Sequence, residues 1–272
     1  MATPPPQPFG QLPAGVTTAV PQWMPWRARA GIEAQADARE RHFRDLRQVS
    51  FGSVDSGALW WDRGGHTLFV LRRDGDCQRI YSLDLTREDR NFSEPLGCLA
   101  GPNKGWLTES LTGQHQCTGT PEMLNPDCAA FMNGERASRS PDRTRWIFRD
   151  ARPDAAPRFV IRSLPQGRDT VLPPLGARIG SAAWLADGQH VIVSSNHEAT
   201  QHPKGPRSIY VMSLDAPTSF SGAPPTTRIT FATGDHDHAT LSPNGKHIAF
   251  VSTRAAGADG PHHVYVARWL TP

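Results

Sequence analysis

The sequence predicts an all-β fold, a β-propeller built from repeated four-stranded antiparallel blades. Three observations support this prediction. Short apolar runs rich in Val, Ile and aromatic residues alternate with turn residues over most of the 272-residue chain. One turn-and-strand pattern occurs at least four times. Each copy is followed by a further apolar run, so that one repeat can supply the strands of one blade.

The composition excludes several classes of protein. A hydrophobic content of 38% is enough for a packed core. The net charge of +3 by itself argues neither for nor against a nucleic-acid partner, but the sequence has no dense Lys/Arg run, and no nucleic-acid partner is expected. No apolar stretch is long enough to cross a membrane, and the first residues do not have the pattern of a signal peptide. The sequence also lacks a glycine-rich phosphate loop and the G-x-S-x-G nucleophile elbow of serine hydrolases.

The N-terminal region differs in composition from the rest. Residues 1–28 are Pro-rich and without periodicity, which predicts a disordered arm. Residues 29–46 are rich in Ala, Glu and Arg, which predicts a short helix, and the propeller is expected over 47–272. The apolar stripe of the predicted helix consists of Ile32, Ala36, Phe43 and Leu46.

The best-preserved repeat is LSPNGKHIAFVS, from Leu241 to Ser252. Similar stretches begin at Trp184, Arg139 and Trp60. In the turns that contain them, proline presets φ and glycine accepts a positive φ, as a tight hairpin requires. The copy that begins at Arg139 has lost the glycine. The residues that define the repeats are Trp60, Pro141, Asp142, Trp184, Asp187, Gly188, Pro243, Asn244 and Gly245. Because Trp60 and Trp184 occupy the same repeat position, both are expected in the core between blades.

The repeat spacing is irregular in one place. The turn residues Arg63, Asp142, Asp187 and Asn244 are separated by 79, 45 and 57 residues. The first interval contains an irregular stretch at 99–132, which is either an insertion or a degenerate blade. A disulfide between Cys117 and Cys128 within it is one alternative, and buried free thiols are the other.

The ends of the chain predict how the ring is closed. The segment RQVSF at 47–51 is similar to RITF at 228–231, which reads as an outer strand. The last repeat ends at Trp269 without an outer strand of its own. The N-terminal segment is therefore expected to complete the last blade, which removes an exposed sheet edge.

The repeat pattern S-P-D-G-K-x-I-A-F-x-S-x-R, followed by I-Y-V-M, resembles the PD40 or WD40-like repeat of TolB-type β-propellers. The resemblance is strongest over residues 181–270. The family is mostly bacterial and often exported, and its propellers mainly bind peptides or proteins, so the resemblance implies an exported protein with such a partner. Some related propellers are instead domains of peptidases or metal-dependent polysaccharide lyases. Family propellers usually have more blades than the four seen here. A small ring, a shortened homologue and a ring completed by another chain all remain open, as does the oligomeric state.

The strongest polar cluster is Asp235, His236, Asp237 and His238, at the start of the inner strand of the last repeat. Alternation along a strand predicts that the two Asp side chains face one way and the two His side chains the other. Such side chains suit a divalent metal, with His236 and His238 as candidate ligands. The alternative is that the Asp residues shape the turn and bond neighbouring backbone. Further candidate binding residues in loops are His197, His202 and Trp106.

The most favoured function is a non-catalytic scaffold, without a cofactor, that binds a peptide or protein at the channel mouth or on the loops at 198–206 and 216–225. The alternative is a metal-dependent lyase or hydrolase acting on a glycan.

Overall fold

The structure is a computed structural model, and the described residues form an all-β protein. They are 32–50, 56–62, 64–74, 77–86, 137–150, 156–164, 166–198, 204–215, 224–255, 257 and 260–270. Their strands form four antiparallel sheets arranged as a four-blade β-propeller, and no helix is present among them. The predicted fold class is confirmed.

Each sheet is one blade, and the blades are numbered in chain order. Blade 1 contains β3 (Ser56–Trp61), β4 (Thr67–Asp74) and β5 (Cys77–Asp84). Blade 2 contains β6 (Ala137–Arg139), β7 (Arg145–Asp150), β8 (Arg158–Ser163) and β9 (Arg168–Val171). Blade 3 contains β10 (Ile179–Trp184), β11 (His190–Ser195), β12 (Ser208–Ser213) and β13 (Thr226–Arg228). Blade 4 contains β14 (His236–Leu241), β15 (His247–Ser252) and β16 (His263–Trp269), completed by β1 (Ile32–Glu33) and β2 (Phe43–Gln48).

The first strand of each blade is the inner strand. β14 packs against β10 on one side and β3 on the other, and β10 packs against β6. The inner strands therefore lie around a common centre. In blades 1 to 3 the remaining strands follow outward in the order of the chain, whereas in blade 4 the strands β2 and β1 lie outside β16.

The N-terminal segment closes the last blade, as predicted. β2 pairs antiparallel with β16, with Phe43 opposite Trp269 and Gln48 opposite Tyr265. β1 then pairs with β2 as a short outermost strand. The closing strand begins at Phe43, so the propeller starts earlier than residue 47.

The helix predicted over residues 29–46 is wrong. Residues 43–46 belong to β2, and the turn before it is held by a hydrogen bond from the Glu40 amide to the Asp37 carbonyl, 2.8 Å. Phe43 and Leu46 are buried between blades 3 and 4. Strand pairing with β16 and this burial outweigh the helix propensity of the segment, which is worth only a few tenths of a kcal/mol per residue.

Three hydrophobic clusters fill the spaces between blades. Trp60 and Trp184 are both buried, as predicted from their shared repeat position. The turn glycines Gly188 and Gly245 adopt φ of 68° and 69°, as the repeat chemistry predicted. In blade 2 the same turn position is occupied by Arg143 with φ of 62°, so the turn geometry is retained without glycine.

Several sequence predictions lie outside the described residues. They are the arm at 1–28, the irregular stretch at 99–132 with Cys117 and Cys128, and the candidates Trp106 and His202.

Candidate functional site

The candidate site lies where blades 3 and 4 meet, at the start of the inner strand β14. Asp235 ends the loop that enters blade 4, and Asp237 is the second residue of β14. Each is 5% exposed, so both carboxylates are buried. Buried carboxylates need compensating charge or hydrogen bonds, and Arg207, just before β12 in blade 3, supplies both.

Arg207 holds the two carboxylates together. Its Nη1 donates to Asp237 Oδ2 and its Nη2 to Asp235 Oδ2. Its Nε lies 3.1 Å from Asp235 Oδ1, and its backbone amide donates to the same oxygen at 2.7 Å. We call these three residues the carboxylate–arginine cluster. The planar guanidinium fork suits such multiple contacts, and the cluster links two blades.

Asp237 also bonds the inner strand of blade 3. Its Oδ1 accepts a hydrogen bond from the Ser181 amide at 2.9 Å and another from the Ser194 hydroxyl. Gly180 permits this close approach, because a Cβ there would lie 2.4 Å from Asp237 Oδ1. The inner strands of blades 3 and 4 are therefore joined by a side-chain carboxylate at this end of the centre.

Electrostatics keep both carboxylates ionised. Burial by itself would raise the pKa of Asp235, but hydrogen bonds from His262 and Arg207 hold it well below its usual range. Burial likewise opposes ionisation of Asp237, and the charges of His238 and Arg207 with the Ser194 hydrogen bond hold its pKa well below normal. Neither group is poised to exchange a proton near neutral pH.

His236 is fully buried and faces away from the carboxylates. Its Nε2 lies 2.9 Å from the Ala232 carbonyl oxygen, and its ring packs edge-on against Phe250 with centroids 6.3 Å apart. Burial, aided by the charge of Arg254, lowers its pKa to about 4. The neutral imidazole therefore serves as a packed donor to the Ala232 carbonyl.

His238 does not share a face with His236, which corrects the prediction from strand alternation. The pairing of β14 with β15 shifts register between Asp237 and Thr240, and His238 adopts φ of 52° within this bulge. A bulge redirects side chains from their alternating positions. His238 Nε2 lies 4.0 Å from Asp237 Oδ2, and its side chain is 29% exposed. Asp235 and Asp237 do face the same way, since both contact Arg207.

Three further side chains form the exposed rim of the site. Arg178 Nη1 lies 3.6 Å from Asp235 Oδ1 and its side chain is 43% exposed. His262 Nε2 lies 3.1 Å from Asp235 Oδ2 and its side chain is 22% exposed. Together with His238 they place cationic or hydrogen-bonding groups over the buried carboxylates. We call Arg178, His238 and His262 the rim.

His197, also predicted as a binding residue, lies in the turn after β11. Its ring packs edge-on against Tyr210, with centroids 6.0 Å apart, and it is half-buried. The neighbouring Asn196 accepts a hydrogen bond from the Arg178 amide at 2.8 Å. His197 thus flanks the segment that carries the rim residue Arg178.

Sequence reasoning missed Arg207 and Arg178, which lie outside the repeat motif. One signal for Arg207 was available in the sequence. An arginine stands just before an apolar strand of one repeat, and the acidic Asp235 and Asp237 stand at the start of the next repeat, so their charges are complementary. It also missed the buried ion pair of Glu40 and Arg254, 2.9 Å, which anchors the N-terminal segment. Glu40 was assigned to a helix, and Arg254 was noted only as the last residue of the repeat pattern.

The residues do not fit a metal centre. Within the described part of the chain, no group of three or more His, Cys, Asp or Glu side chains is placed to hold a metal ion. His236 Nε2 is engaged by a backbone carbonyl, and the carboxylates of Asp235 and Asp237 are engaged by Arg207. His236 and His238 therefore do not form a ligand pair in this conformation.

No protein-family model and no curated protein matches the sequence. The chain is similar to TolB structures. TolB from Acinetobacter baumannii is 18% identical with a TM-score of 0.39, over 80% of this chain and 44% of that one. A putative TolB from Agrobacterium tumefaciens is 16% identical with a TM-score of 0.41, over 79% of this chain and 91% of that one.

An oligogalacturonate lyase in complex with manganese is also similar in structure. It is 11% identical with a TM-score of 0.34, over 79% of this chain and 48% of that one. The chain thus spans less than half of the A. baumannii TolB and of the lyase. Within the residues that the structure describes, no helix has the length and apolar character needed to cross a bilayer.

Proposed function

We propose that the protein is a non-catalytic scaffold that binds a peptide or protein partner at the channel mouth. The observation that carries this proposal is the engagement of the two buried carboxylates by Arg207 and by backbone amides. A general acid or base needs a pKa near the working pH, and both carboxylates are held far below it. The carboxylate–arginine cluster is therefore a rigid support.

The rim is the part of this support that a partner can contact. Arg178, His238 and His262 are partly exposed around the start of β14. Arginine and histidine side chains donate hydrogen bonds to backbone carbonyls and carboxylates, which every peptide presents. Because Asp235 contacts Arg178 and His262 and Asp237 lies beside His238, little side-chain freedom is lost on binding.

The proposal includes an exported location, in the periplasm or outside the cell. It is supported by the resemblance of the repeats to those of TolB-type propellers.

Selection from a random peptide library on the immobilised protein tests this function. Peptides are expected to be enriched on the full chain, and their binding is expected to weaken about tenfold or more in Arg178→Ala/His262→Ala, since charged hydrogen bonds are lost. The matched control is Arg168→Ala, an exposed arginine on the outer strand of blade 2. Enriched peptides that bind the rim variant as tightly as the control would refute the channel mouth as the binding surface.

A further inference from the structure

The opposite end of blade 4 carries a row of basic side chains. His247 begins β15, Arg268 lies near the end of β16 and Arg44 lies near the start of β2. The strand register places His247 opposite Arg268, and Arg268 opposite Arg44. Lys246 immediately precedes His247. We call these four residues the basic row.

The three permanently charged side chains of the basic row, Arg44, Lys246 and Arg268, have little carboxylate charge beside them. Asp45 Oδ2 lies 4.0 Å from Arg268 Nη1, and the Arg268 side chain is 55% exposed. Within the described residues, Arg44 and Lys246 take part in no ion pair. Like charges directly opposite each other across strands are destabilising. The two positive charges of Arg44 and Arg268 therefore do not stabilise the fold, and a neutral pair at these positions would serve it at least as well.

The basic row lines an open cleft of about 590 Å³. Its other lining includes the apolar side chains of Leu85, Trp269 and Leu270. Trp269 is held in place by Phe43, with ring centroids 6.3 Å apart, and by its own amide hydrogen bond to the Lys246 carbonyl, 2.9 Å. The cleft thus combines the three positive charges of Arg44, Lys246 and Arg268 with the partly buried apolar residues Leu85 and Leu270 and the buried Trp269 behind them.

We propose that this cleft binds an acidic segment of a partner protein in an extended conformation. Adjacent strands lie about 4.8 Å apart, so the row from His247 to Arg44 extends roughly 10 Å. Carboxylates two residues apart in an extended peptide are separated by roughly 7 Å, which lets two of them contact the row. A single small anion contacts only part of it. The apolar lining of the cleft accommodates a neighbouring apolar side chain of the peptide.

Binding of a fluorescein-labelled peptide with Glu at alternate positions and Leu between them tests this inference on the full chain. The measurement is fluorescence anisotropy. The Gln version of the peptide is expected to bind far more weakly, and added salt is expected to weaken binding of the Glu peptide. Arg44→Gln/Arg268→Gln is expected to weaken it about tenfold, because two exposed charge contacts are lost.

The matched control is Arg168→Gln/Lys204→Gln, which removes two exposed positive charges elsewhere and is expected to change binding less than twofold. Equal losses in the two double variants, or equal binding of the Glu and Gln peptides, would overturn the inference. Complete displacement of the Glu peptide by millimolar inorganic phosphate would also overturn it, in favour of a small-anion site. The rim variant Arg178→Ala/His262→Ala is expected to retain this binding, so failure of this inference is distinguishable from failure of the channel-mouth function.

Discussion

At one end of blade 4, Asp235 and Asp237 are buried and share the guanidinium of Arg207. At the other end, Arg44 and Arg268 are exposed and lie directly opposite each other across two strands. Buried charge without a partner costs several kcal/mol, so the first end must be neutralised within the fold. Exposed like charges cost only a few tenths of a kcal/mol, so the second end tolerates an excess of positive charge, which is available to a ligand. The same blade thus has one end built for stability and one that retains charge for binding.

The largest expected effect is at Arg207. We expect Arg207→Met to lower the free energy of unfolding by about 3–5 kcal/mol, because it leaves two buried carboxylates without their counter-charge. Urea unfolding monitored by tryptophan fluorescence measures this. Adding Asp235→Asn and Asp237→Asn to the same variant should restore part of the loss. Arg168→Met is the matched control, and an equal loss there would contradict the contrast between the two ends.

The pH dependence tests the buried end further. The folded-state pKa of His236 is about 4, below its ordinary 6.5, so the unfolded chain binds more protons between these values. We therefore expect the contribution of neutral His236 to the free energy of unfolding to be fully present above about pH 6.5 and to fall by about 3 kcal/mol as the pH approaches 4. His236→Gln is expected to remove this dependence, while His190→Gln, a partly exposed histidine, is expected to retain it. The carboxylates add a separate loss, since their depressed pKa values remove stability only below about pH 4.

Gly180 tests how closely the blades approach in the carboxylate–arginine cluster. A Cβ at this position would lie 2.4 Å from Asp237 Oδ1 and 2.6 Å from Arg207 Nη1. Gly180→Ala should cost about 2 kcal/mol, because overpacking forces the cluster apart. Gly167→Ala is the comparison, since it meets no atom within 4 Å but has φ of 66°. Gly167→Ala should cost about 1 kcal/mol from backbone strain alone. If Gly180→Ala costs no more than this, the close approach of Gly180 to the carboxylate–arginine cluster is contradicted.

A small effect of opposite sign is expected at the basic row. Arg44→Gln should raise the free energy of unfolding by a few tenths of a kcal/mol in the absence of a ligand, because it relieves repulsion from Arg268. The gain should shrink as salt is added, since screening already weakens the repulsion. Thermal melting at low and high salt measures both, with Arg168→Gln as the control. Destabilisation by Arg44→Gln would show that the row supports the fold.

The smallest expected effect is that of divalent metal. Addition of Mn, Zn, Ni or Ca after EDTA treatment should leave the melting temperature unchanged, because the imidazole of His236 and the carboxylates of the cluster already have protein partners. Melting curves with each metal added singly test this. A rise of several degrees that is lost in His238→Ala would revive the metal-dependent enzyme as the function.

Local repeat chemistry explains why the blades could be predicted. The Asp187–Gly188 and Asn244–Gly245 turns impose hairpins through local backbone geometry. The apolar strands that follow them, β11 and β15, are buried at every position after the first. The similarity between the segments at 47–51 and 228–231 indicated that the N-terminal segment closes the ring, although the closing strand β2 spans Phe43–Gln48 and shares only its last two residues with the first segment. The turns and strands depend on neighbouring residues in the chain, which a sequence displays directly.

The segment that contains Glu40 and Phe43 shows where such reasoning fails. Its composition favours a helix, yet Glu40 pairs with Arg254 and Phe43 pairs with Trp269, more than 200 residues away. No local pattern carries this information. The side chains of the candidate site follow the same rule, since Arg207 meets Asp235 and Asp237 only because two blades pack together.

The sequence by itself determined the propeller architecture, the positions of the hairpin turns and the shared direction of Asp235 and Asp237, because these depend on periodicity and turn chemistry within each blade. Only the tertiary structure decided that Arg207 neutralises the carboxylates, that a bulge separates His238 from His236, and that Arg44 lies beside Arg268. The physical reason is that charge compensation and strand register between distant segments are set by how the blades pack, which no single blade encodes.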